Sequence, residues 1–118
     1  MKIIPFPTEP FAHAEWTEVA PEKIISGHPK SSYKILYTSK TEEFTAGIYE
    51  CTAGKWKVSY GEDEFCTLIE GKLRMTNDKG EAQEFKAPDS FLIPAGFSGI
   101  WEPLGHLRKF FVIYEKVK

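Results

Sequence analysis

Lys55-Trp56-Lys57-Val58-Ser59-Tyr60 is the stretch whose reading decides the fold class. Trp56, Val58 and Tyr60 fall on one face of an extended chain, and Lys55, Lys57 and Ser59 fall on the other. A helix would need its apolar positions three or four apart. Downstream, Gly61-Glu62-Asp63 makes a turn before the most apolar run, Phe65-Cys66-Thr67-Leu68-Ile69, and Lys72-Leu73-Arg74-Met75-Thr76 resumes the alternation after Gly71. Asn77-Asp78-Lys79-Gly80 is a reversal signal that returns the chain through Glu81–Phe85. Strands follow at Ser90–Ile93, Ile100–Glu102 and Lys109–Tyr114, and upstream at Tyr33–Tyr37 and Thr45–Cys51. No periodic segment long enough for a helix interrupts them. Many short strands separated by Gly and Pro turns predict an all-β barrel or jelly-roll sandwich.

The 118 residues fit one domain, and 42% hydrophobic content with 14% aromatics supplies a core without disulfide support. Fifteen basic and seventeen acidic residues leave a net charge of −2, which offers no concentrated basic surface for nucleic acid. No run approaches membrane-spanning length, and Met1–Pro7 is too short an apolar stretch for a secretory signal, so the expectation is a cytoplasmic protein without a membrane partner. Cys51 and Cys66 lie in strands and read as reduced, partly buried residues. Residues 1–30 differ from the rest. Pro5, Pro7, Pro10, Pro21 and Pro29 interrupt regular structure, while Phe6, Phe11 and Trp16 give it packing material. The division is therefore an arm over 1–30, with one or two short strands and packed on the barrel or on a partner subunit, and a barrel over 31–118.

Two further stretches carry a family likeness: Tyr60-Gly61-Glu62-Asp63-Glu64-Phe65-Cys66-Thr67-Leu68-Ile69-Glu70-Gly71, and Pro88–Glu102 with Pro94-Ala95-Gly96-Phe97 and Gly99-Ile100-Trp101-Glu102. In order and separation they resemble the two motifs of the cupin superfamily. More narrowly, they are similar to small cupins related to the ureidoglycine aminohydrolase cupin domain and to the ethanolamine-utilisation cupins. The resemblance runs from about residue 25 to the C terminus. It implies a double-stranded β-helix, often dimeric, with its site inside the barrel. It also implies where a metal would be held: two histidine positions of the first motif fall on Val58 and Tyr60, the glutamate on Glu64, and the last histidine on Gly99. Only Glu64 keeps a ligand chemistry, and His13, His28 and His106 are too scattered to form a motif, so no metal and no cofactor is expected.

Glu64 is the leading candidate, as an inward carboxylate that contacts ligand or moves a proton, with Tyr60 beside it as a hydrogen-bonding and catalytic partner. Trp56 and Trp101 are candidate walls of a ligand site, and Cys66, two residues from Glu64, shares its face. Gly99 is expected to leave pocket volume, and Arg108 and Lys109 to lie at the surface. Three functions remain open. One is a small cupin binding a small polar metabolite through Glu64 and Tyr60. Another is an enzyme acting on an amide, ureido or amine-containing molecule, a substrate class that the resemblance implies. The third is a structural or regulatory homodimer with a filled barrel.

Overall fold

A computed structural model describes residues 1–10 and 15–116. Among the described residues eleven strands follow one another: β1 (Thr17–Glu18), β2 (Ile24–Ser26), β3 (Lys30–Thr38), β4 (Phe44–Cys51), β5 (Lys55–Ser59), β6 (Asp63–Glu70), β7 (Lys72–Asn77), β8 (Ala82–Lys86), β9 (Ser90–Ile93), β10 (Ser98–Pro103) and β11 (Leu107–Tyr114). A single 3-10 turn, Pro21–Lys23, separates β1 from β2. All pairings are antiparallel. They make a six-stranded sheet ordered β1-β3-β4-β11-β6-β9 and a five-stranded sheet ordered β2-β5-β10-β7-β8. The two sheets are the halves of a jelly-roll barrel.

The strand signals read from the sequence correspond to β3 through β11. The Asn77–Gly80 reversal joins β7 to β8, where Asn77 Oδ1 accepts from the backbone N–H of Lys79 at 3.0 Å and of Glu81 at 2.9 Å. An asparagine that folds onto its own backbone in this way closes a tight turn. The core lies between the sheets and is built from Cys51, Trp56, Cys66, Leu68, Leu73, Met75, Ile93, Trp101 and Leu107.

The two strands described within the first thirty residues are tied one to each sheet. β1 pairs with β3, and β2 pairs with β5. The Phe6 ring meets Phe110 edge-on at 5.4 Å, which covers part of the outer face of β11. Phe11 and His13 lie outside the described residues. Farther across the same outer face, Val112, Phe65 and Leu92 stand in one cross-strand row, with Phe65 47% and Leu92 60% exposed.

Candidate functional site

Between the sheets lies a cavity of about 330 Å³, within the size range of small-molecule sites. Alternation on five strands builds its walls. The inward face of β5 contributes Trp56 and Val58, and Tyr60 follows one step beyond the strand end. Trp101 on β10 stands directly opposite Trp56. Tyr49 on β4 and Lys109, Phe111 and Ile113 on β11 line the facing sheet, with Glu64 from β6. Tyr33 and Ile35 of β3 form an exposed lip.

Glu64, Tyr60, Trp56 and Trp101, singled out in the sequence, are thus brought together around one space. Tyr60 is fixed by the loop that follows β9. Its N–H donates to Phe97 O at 2.9 Å, its carbonyl accepts from Gly96 N–H at 2.8 Å, and its ring packs on Phe97. Phe97 N–H donates back to Pro94 O, and Gly96 sits at φ +96°, where a side chain is disfavoured. Burial pushes the Tyr60 phenol upward against the opposing pull of Lys109, so its proton stays in place at neutral pH.

Lys109 was expected at the surface, but it is buried between the sheets. It shares the inward face of β11 with Leu107, Phe111 and Ile113, so strand parity aims it into the barrel. On the neighbouring strand Lys109 stands opposite Leu68, Phe111 opposite Cys66, and Ile113 opposite Glu64. The lysine chain therefore runs along the sheet, past Cys66, to reach the carboxylate. Its Nζ donates to Glu64 Oε2 at 2.6 Å and to Cys66 Sγ at 3.4 Å. The Cys66 thiol donates in turn to Glu64 Oε2 at 3.2 Å, which closes a triangle. The ammonium also faces the Trp101 ring at 4.6 Å and the Tyr49 ring at 5.0 Å, both within cation–π range. Burial alone would favour the neutral amine. The Cys66 sulfur and the Glu64 carboxylate outweigh it and hold Lys109 above the ordinary lysine range.

Cys66 does not line the cavity. It is fully buried behind Glu64, and burial pushes its thiol up to about 12, with Lys109 pulling the other way. Cys51, also free and fully buried, is pushed up to about 11 by the same cause. Arg108, likewise expected at the surface, is buried on the outer face of β11. There its Nε donates to Glu70 Oε1 at 2.7 Å, beside a register shift in the β6–β11 pairing. Gly99 opens no pocket volume either. A Cβ there would run into the Thr76 carbonyl oxygen of β7, so the glycine lets two backbones approach closely. Asp63 accepts from Ala95 N–H at 2.8 Å, and Asp89 Oδ2 from Lys86 N–H at 2.9 Å; both hold loops in place.

These side chains do not fit the divalent cation that the resemblance places here. Val58 has no donor atom, Gly99 has no room for one, and the Glu64 carboxylate holds an ammonium. His28 and His106 lie outside the cavity, with His106 paired to Glu50. Among the described residues no three His, Cys, Asp or Glu side chains gather in a way that would hold a metal.

A two-sheet antiparallel barrel with its site between the sheets is the architecture of a cupin. The sequence profile of the EutQ-like cupin domain matches residues 38–111, and the chain belongs to that family. No curated protein matches it in sequence. Among solved structures it superposes on a protein of unknown function from Pseudomonas syringae pv. tomato, of the DUF861 family, with a TM-score of 0.74 and 21% identity. That match covers 85% of this chain and 44% of the other, so the chain spans less than half of that relative. The EutQ protein of Clostridium difficile gives 0.66 at 20% identity, covering 76% and 71% of the two chains. A DUF861 family protein from Thermotoga maritima gives 0.57 at 22%, covering 70% and 100%. At these identities the likeness establishes the fold alone. No helix among the described residues is long and apolar enough to cross a membrane.

Proposed function

We propose that this cupin binds a small metabolite between its sheets, with Glu64 and Tyr60 supplying polar contacts and Trp56 and Trp101 the apolar walls. The supporting observation is the aromatic-walled cavity of about 330 Å³ lined by the Glu64 carboxylate and the Tyr60 hydroxyl. Both hydrogen bonds of Glu64 go to Oε2, so Oε1 accepts none among the described residues, and the Tyr60 hydroxyl has no partner there. A cavity of this size gives no support to a filled barrel. An enzyme acting on amides or amines has less support than a binder, because the one carboxylate in the cavity is held by Lys109.

Ligand-observed NMR with a panel of ring-sized fragments tests the proposal. Binding is expected for the wild type and is expected to disappear in Val58→Trp, which fills the cavity while leaving the circular dichroism spectrum folded. Fragments that bind Val58→Trp equally well would place the site elsewhere. A second copy of the chain is the partner we propose for the outer face, on the strength of the exposed Phe65–Leu92 row. Sedimentation equilibrium that reports a monomer at all concentrations would remove it.

A further inference from the structure

Glu64 and Lys109 are the only charged side chains lining the cavity among the described residues, and each neutralises the other. The ammonium has little left to offer a ligand. Glu64 Oε2, Cys66 Sγ and the faces of Trp101 and Tyr49 surround it. The carboxylate differs, since Oε1 is open while Oε2 carries both of its bonds. Tyr60, held as a phenol, is a neutral hydrogen-bonding group in the same space. Everything else around the cavity is apolar or aromatic apart from Thr45, the tyrosine hydroxyls and the indole N–H groups of Trp56 and Trp101, of which Trp101 Nε1 is buried without a partner among the described residues.

We infer that the cavity selects uncharged molecules: an apolar, ring-sized body with one hydroxyl-type head that donates to Glu64 Oε1. Carboxylates and ammonium ions of the same shape are rejected. This rests on the small-molecule reading above and narrows it. A ligand that carries a charge adds a net charge to a site already balanced, away from water, where no counter-group is free to meet it. A carboxylate would have to pull Lys109 off Glu64. An ammonium would have to share Glu64 with a resident cation 2.6 Å away. A neutral donor disturbs neither partner and satisfies the open oxygen.

Three isosteric probes, naphthylmethanol, naphthoate and naphthylmethylammonium, are titrated by ligand-observed NMR against the whole chain at neutral pH. The alcohol is expected to bind the wild type at least about tenfold more tightly than either ion. Glu64→Gln leaves Lys109 without its counter-charge, and preference is expected to move to naphthoate. Lys109→Met leaves the carboxylate alone, and preference moves to naphthylmethylammonium. The double variant Glu64→Gln/Lys109→Met, neutral again, returns to the alcohol. If a single variant fails to fold, the wild-type series and the double variant decide. Either ion binding the wild type as tightly as the alcohol overturns the charge rule and leaves the cavity as a ligand site. If none of the three binds, the small-molecule reading falls and the charge rule falls with it.

Discussion

Lys109 and Glu64 face each other between the two sheets, whereas Arg74 and Glu84 face each other across the β7–β8 hairpin in open water. The side chains of the first pair are 5% and 8% exposed, and those of the second 48% and 56%. Arg74 and Glu84 are direct cross-strand neighbours, and Arg74 Nε donates to Glu84 Oε2 at 2.9 Å. Lys109 and Glu64 are four residues out of register and meet only because the lysine lies along the strand. By local geometry the surface pair is the better placed. By environment the interior pair matters more, since in a low-dielectric space each charge depends on its partner for the solvation it has lost.

The sharpest way to break this comparison is to remove one partner at a time. Lys109→Met strands the Glu64 carboxylate in an apolar cavity and is expected to cost about 3–5 kcal/mol of stability. Glu64→Gln/Lys109→Met removes both charges and keeps the volume, so most of that loss is expected to return. Urea denaturation of the three proteins reads the difference. A double variant as unstable as the single one would mean that packing of the lysine stem, and not its charge, is what the barrel needs.

Alkali probes the same interior with a smaller expected effect. Burial holds the Cys51 and Cys66 thiols up to about 11 and 12 against an ordinary value of 9.0. Above pH 9 the unfolded chain loses these protons while the folded chain keeps them, so proton release favours unfolding. Lys109, held above its ordinary range, adds to the loss at still higher pH, where the unfolded chain releases the lysine proton while the folded chain keeps it. Stability is expected to fall by roughly 2–3 kcal/mol between pH 8 and pH 10. Denaturation midpoints at the two pH values check it. A flat profile would mean that the thiols reach solvent.

How much of this was readable in the sequence follows from strand parity. Lys55–Tyr60 alternates cleanly, so Trp56, Val58 and Tyr60 were placed on one face, and all three line the cavity. Leu107–Tyr114 hides its parity. Its outer face carries Phe110 and Val112, partly covered by Phe6, so both faces read as apolar and the two basic residues looked like a solvated border. Counting back by twos from Ile113 through Phe111 reaches Lys109, which is the signal that was there to find. Its pairing with Glu64, 45 residues away, was not, because it depends on which strands are neighbours and in what register. Gly99 misled for the opposite reason. Its position was read as vacated pocket space, whereas the close approach of β10 to β7 leaves no room for any side chain.

The surface pair gives the smallest expected effect and completes the comparison. Arg74→Ala removes one member of an ion pair that water and salt already screen, and it frees the partner from a fixed rotamer. Glu84 is left facing solvent, where it regains hydration in place of the guanidinium, so no stranded charge results. The unfolding midpoint of Arg74→Ala is expected to match the wild type at physiological salt, with any difference appearing only at low ionic strength. A loss on the scale of Lys109→Met would show that the β7–β8 hairpin depends on this contact for its register. Burial would then no longer explain why the two pairs differ.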